Sequence, residues 1–67
     1  MAKIKLLTTG GFKGLEEAVG KTLTATKVLG HWNVCRAELE RVGCSCCMDE
    51  YAFLTREVEV TWHTQGL

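Results

Sequence analysis

The stretch Lys21–Cys35, KTLTATKVLGHWNVC, constrains the fold of this chain more than any other. Two runs suited to β-strands stand side by side in it. Thr22–Val28 carries three threonines and a valine, whose branched Cβ atoms fit a pleated surface. His31–Cys35 sets Trp32 and Val34 on one face by simple alternation. Between them stands Leu29-Gly30, and Gly30 supplies the positive φ that a two-residue hairpin turn requires.

The flanks extend the same architecture. Ala2–Thr8 alternates, with Ile4 and Leu6 on one face and Lys3, Lys5 and Leu7 on the other, as a half-buried strand does. Thr9-Gly10-Gly11 breaks that strand, and Phe12–Val19 reads as a loop with one helical turn over Leu15, Ala18 and Val19. Arg36–Val42 is the best helix candidate, rich in good helix formers. Cys35, Leu39 and Val42 share its apolar face, Arg36/Glu40 and Glu38/Arg41 are spaced for ion pairs, and Gly43 stands where a left-handed C-cap belongs. Tyr51–Leu54 is a short strand with Tyr51 and Phe53 on one face. Glu57–Trp62 alternates strictly, with Val58, Val60 and Trp62 expected inward and Glu57, Glu59 and Thr61 outward. Residues 1–67 form one small domain in this reading, and 63–67 a disordered tail.

Five short strands and one short helix suit a mainly β fold, a small SH3-like partly open barrel that protects its sheet edges. The alternative is an α+β fold with helices at 12–19 and 36–42 on one face of a three- or four-stranded antiparallel sheet. The series KIKLLTTGGFKGL, GKTLTAT, HWNV, AELERVG and DEYAFLTREVEV resembles small SH3-like barrel proteins of tailed bacteriophages. The likeness runs through the Gly11-Phe12-Lys13-Gly14-Leu15 loop and the closing EVEV strand, and it covers most of residues 3–62. It implies a small barrel of viral origin. It carries over no catalytic residue, and Cys44, Cys46 and Cys47 stand outside its pattern.

Size and charge bound the function. Sixty-seven residues supply a core worth only about 3–5 kcal/mol, and chains of this size usually act through their surface. The net charge is zero, without the basic surplus typical of a nucleic-acid binder. The charges are nevertheless segregated: residues 1–33 carry +3 and residues 34–67 carry −3. Neither a signal peptide nor an apolar run of membrane-spanning length is present, so the reading is a cytoplasmic protein, in the host cytoplasm if viral, with reduced cysteines.

The motifs that could carry chemistry are few. Gly20-Lys21-Thr22 imitates the end of a phosphate-binding loop. The preceding glycine is displaced by one residue, and Glu16 and Glu17 would repel a phosphate. Cys35, Cys44, Cys46 and Cys47, with His31 or His63, offer zinc ligands. Only Cys44 and Cys47 have the C-x-x-C spacing, so free thiols are the ordinary reading and a disulfide or a bound zinc the alternatives. Glu57 and Glu59 share a strand face that is more simply a solvated exterior.

No catalytic constellation emerges, and the chain reads as a non-enzymatic interaction protein without a cofactor. Its expected partner is a host protein that it inhibits or redirects. Phe12, in its Gly-rich loop, is the aromatic expected to be exposed. With Lys13, Glu57 and Glu59 it forms the candidate contact surface. One alternative is a nucleic-acid-binding barrel with Lys3, Lys5, Lys13, Lys21 and Lys27 on one face and Phe12 or Trp32 stacking on bases. The other is a zinc-stabilised module. Either a monomer or a homodimer is compatible with so small a core.

Overall fold

The computed structural model describes residues 1–45 and 48–63. Its five strands are β1 (Ala2–Leu6), β2 (Thr22–Val28), β3 (His31–Cys35), β4 (Glu50–Leu54) and β5 (Val58–His63). One helix, α1 (Arg36–Arg41), follows β3, and 3-10 turns occupy Glu16–Ala18 and Thr55–Glu57. The strands are all antiparallel and lie in the order β4-β3-β2-β1-β5. The fold is mainly β, one five-stranded antiparallel sheet that is not closed into a barrel and has β4 and β5 as edges, consistent with a partly open one. The α+β alternative fails, because the helical pieces are single turns or little more.

Strand β2 is shared between two halves of the sheet. Residues 22–25 pair with β1, and residues 26–28 pair with β3. The hairpin between β2 and β3 turns at Leu29 and Gly30, both at positive φ, 51° and 84°. Glycine takes that conformation freely, whereas for leucine it costs about 1–2 kcal/mol.

The core follows from the alternation. Ile4, Leu6, Leu23, Ala25, Trp32, Val34, Tyr51 and Phe53 point to the concave side, where Leu15, Ala18 and Leu39 close over them. The helix ends as its sequence indicates, though at Arg41. The Gly43 N–H donates to Glu40 O and the Cys44 N–H to Leu39 O, at 3.0 Å each. That pair of bonds is a Schellman closure, which brings the residue after the glycine against the third-last helical residue. Cys44 and Leu39 are accordingly both buried in the core.

Where β3 turns away into α1, the edge of β2 loses its strand partner. The register would set Thr24 opposite Cys35, but the Thr24 N–H donates instead to Glu38 Oε1 at 2.9 Å. Arg41 Nη2 donates to Thr22 O at 3.1 Å and to Glu38 Oε1 at 3.2 Å. The helix thus lends two side chains to replace a strand. The Thr24 hydrogen bond, with help from Arg41, holds the Glu38 carboxyl below its ordinary value against the opposing effect of burial. With the folded-state value depressed, the unfolded chain takes up its proton first as pH falls. The contribution of Glu38 is therefore complete above about pH 4.3, the unperturbed glutamate value, and is lost as pH falls through the folded-state value. Glu38→Ala is expected to cost about 1–3 kcal/mol at neutral pH by orphaning the Thr24 amide. Glu38→Gln is expected to cost less and to flatten the acid limb of the stability curve, both read by urea unfolding across pH.

Several expectations are corrected by packing. Trp62 and Val60 were expected inside. Val60 does share the face of Ile4, but at the open edge it stays 41% exposed, and Trp62 is 56% exposed. The register of β1 against β5 shifts between Lys3 and Ile4, so that Lys3 pairs with Trp62 and Ile4 with Val60. The extra residue, Thr61, donates its hydroxyl to Lys3 O at 3.1 Å. Such a bulge reverses every side chain beyond it. Trp62 moves to the outer face, and His63 takes the inner position opposite Ala2 and meets the Trp32 ring edge to face at 5.7 Å. Strand β5 therefore includes His63, the first residue of the expected tail, and residues 64–67 lie outside those described.

Candidate functional site

The feature that stands out on this scaffold is the connection between β1 and β2, Leu7–Lys21. Connections longer than about 12–15 residues are uncommon in compact domains and are usually functional or disordered. This one is pinned at three points. Phe12 packs edge to face on Tyr51 and Phe53, with ring centroids 5.0 and 5.7 Å apart. Gly10 passes against the Glu57 carboxylate, leaving 3.3 Å for a Cβ, and Gly14 passes against the Ser45 carbonyl, leaving 2.7 Å. The base is closed by backbone bonds from the Gly20 N–H to Leu6 O at 2.7 Å and from the Leu6 N–H to Lys21 O at 3.2 Å. Outside these anchors, Leu7, Lys13, Glu16, Glu17 and Val19 are exposed.

Against this geometry the predicted contact residues separate. Lys13 and Glu59 are exposed. Phe12 is half-buried, a plug beneath the loop, and Trp62, not Phe12, is the well-exposed aromatic among the described residues. Its apolar ring in a Gly-rich segment signalled exposure only because the pocket made by Tyr51 and Phe53 is invisible before the strands are assembled. Glu57 is not on an outward strand face. It ends the second 3-10 turn, where its Oε1 accepts the Leu54 N–H at 2.8 Å. Of the four, Lys13 and Glu59 are thus exposed, and Phe12 and Glu57 are half-buried.

The cysteines are distributed likewise. Cys35 was expected to pack as a small apolar residue on the helix face, yet it lies exposed on the outer face of the sheet, opposite Glu50. Cys44 is buried in the core. Cys46 and Cys47 lie outside the described residues, among which no three His, Cys, Asp or Glu side chains are placed to hold a metal ion. Of the two expected helix ion pairs, Glu38–Arg41 is present at 3.2 Å. Arg36 instead reaches Asp49, at 3.7 Å, and not Glu40.

The lysines do not gather on one face. Lys3 and Lys5 lie on the outer face, Lys3 donating to Thr24 Oγ1 at 2.8 Å and Lys5 opposite Glu59. Lys27 lies over the Trp32 ring, 5.6 Å from its centroid, on the other side of the sheet. Trp32 is 4% exposed, too covered to stack on a base. The exposed tryptophan is Trp62, and its signal is the bulge, which no period in the sequence announces.

The outer face also holds a groove of about 340 Å³, lined in part by Thr26, Val28, Asn33, Cys35, Glu38 and Glu50. No helix among the described residues is long and apolar enough to cross a membrane. The class defined by these features is a small, mainly β, five-stranded antiparallel sheet with one long, anchored loop. No family model matches the chain, and no curated protein or solved structure is similar enough to count as a match.

Proposed function

We propose that this chain is a non-enzymatic binding protein that presents the Leu7–Lys21 loop to a protein partner. The observation that carries this reading is the three-point anchoring of a long loop by Phe12, Gly10 and Gly14. A loop held in place before contact loses little conformational entropy on binding, and rigid scaffolds commonly display binding residues in this way. Leu7 and Val19 are exposed apolar side chains at the loop's base, and Lys13, Glu16 and Glu17 are exposed charged side chains along the same loop. Protein interfaces commonly combine apolar and polar side chains in this way.

The further step, that the partner is a bacterial host protein occluded or redirected in the host cytoplasm, rests on the resemblance to small phage proteins. A nucleic-acid ligand would instead use Trp62 beside Lys3. One experiment separates the two. The tagged chain and a Lys13→Glu/Val19→Ser variant are passed over host lysate, and eluted proteins and nucleic acid are both identified. A single stoichiometric protein, lost with the variant while stability stays within about 0.5 kcal/mol, supports the loop surface. Elution of nucleic acid alone, falling steeply with salt and unaffected by the variant, would overturn it.

A further inference from the structure

We propose that the inner face of the sheet at Trp32 binds a small oxyanion, a phosphate or carboxylate group held by the Trp32 indole N–H, the Lys27 ammonium and the His63 imidazole. The argument begins at the indole. Trp32 is 4% exposed, and its Nε1–H is buried with no hydrogen-bond partner among the described residues. A buried tryptophan usually finds an acceptor for that donor. Leaving it unpaired is costly and uncommon, so the orphan N–H points to an acceptor supplied from outside the described fold.

The strand register brings two further donors to the same ring. Lys27 is the cross-strand partner of Trp32, and His63 stands opposite Ala2, which pairs in turn with Ala25. Ala2 and Ala25 are small, which leaves the indole room to cross from β3 towards β5. There it meets His63 edge to face, with ring centroids 5.7 Å apart. The Lys27 ammonium stands 5.6 Å from the centroid of the same indole. Neither Lys27 nor His63 makes an ion pair among the described residues.

The chemistry of the three groups selects the ligand. The ammonium has three N–H donors, and its attraction to the ring face leaves them open to an acceptor. A neutral imidazole donates one N–H and the indole another. Three donors, one of them always cationic at neutral pH, are answered best by an anion with several oxygens. Lys27 and His63 are both exposed, so the ligand has an approach from solvent, and the flexible lysine stem can swing to admit it to the indole. None of the three residues belongs to the Leu7–Lys21 loop, and the proposal stands or falls independently of the reading of that loop.

NMR of the two indole N–H signals provides the test, with Trp62→Phe used to tell Trp32 from Trp62. Sodium phosphate and sodium acetate are titrated separately into the full chain, with sodium chloride holding the ionic strength constant. The Trp32 signal is expected to move saturably with at least one of them, with a dissociation constant of about 10 mM or tighter, and the tighter anion identifies the oxyanion. Lys27→Met is expected to weaken that binding at least about tenfold. His63→Phe keeps a ring against Trp32 but removes its N–H, and is expected to weaken binding as well. Thermal melting confirms that both variants fold. A Trp32 signal that moves with neither anion, that follows chloride equally well, or that saturates unchanged in both variants would overturn the proposal.

Discussion

Phe12→Ala is expected to lower the stability of this protein by about 2–4 kcal/mol, the range for removing a large and partly covered aromatic from a packed site. The side chain gives up its burial against the core and two edge-to-face ring contacts, to Tyr51 and Phe53, each worth about 0.5–1.5 kcal/mol beyond area alone. A domain of this size holds only about 3–5 kcal/mol in its core, so the variant should lie close to its unfolding midpoint at room temperature. Urea unfolding measures the loss directly, and hydrogen exchange should show the amides of residues 8–20 released ahead of the strands. Phe12→Leu refills most of the space and should restore most of the stability. A loss under about 0.5 kcal/mol, the range of ordinary surface changes, would mean that Phe12 is a surface side chain. The reading of Leu7–Lys21 as a preorganised loop would then fail with it.

Gly14→Ala is expected to be nearly as severe, at about 2–3 kcal/mol. Gly14 has φ of 85°, and a Cβ built there would lie 2.7 Å from the Ser45 carbonyl oxygen. The backbone conformation alone costs an alanine about 1–2 kcal/mol, and the methyl group must also push a backbone carbonyl aside. Gly11 is the internal control. Its φ is 86°, but nothing lies within 4 Å of its would-be Cβ. Gly11→Ala should therefore show the conformational cost without the steric one. The difference between the two midpoints isolates the contact between the loop and the Ser45 segment. Equal losses would remove that contact as an anchor.

Both predictions concern one device. The loop is held by a ring dropped onto two strand aromatics and by glycines thin enough to pass close to neighbouring groups. Binding through such a loop should be sensitive to changes at its anchors as well as on its surface. Phe12→Ala should weaken partner binding although Phe12 is mostly covered, and Phe12→Leu should recover it together with stability.

Much of the fold was legible in the sequence because it depends on local rules. The period of two placed Ile4 and Leu6, Trp32 and Val34, and Tyr51 and Phe53 on buried faces. The Leu29-Gly30 pair set the hairpin, and Gly43 stopped the helix within a residue or two of its observed end. These signals need only the geometry of a single strand, turn or helix end.

The candidate site was far less legible, because each of its parts depends on two distant segments meeting. Phe12 is a plug only because Tyr51 and Phe53 align beside it. Glu57 is a cap only because the chain turns at Thr55 before the last strand begins. Glu38 became a surrogate strand partner because β3 pairs with β2 only as far as Asn33, though it stays on β4 to Cys35, which leaves the Thr24 amide to the helix. The outward Trp62 and inward His63 were decided by a bulge at Thr61, a choice that β5 could make only against β1. The sequence by itself determined which residues prefer strand, turn or helix, since alternation, branching and glycine act within a few residues. Tertiary structure alone decided which of those side chains are covered, capped or left for a partner, since burial and hydrogen bonding belong to pairs of segments and not to either one.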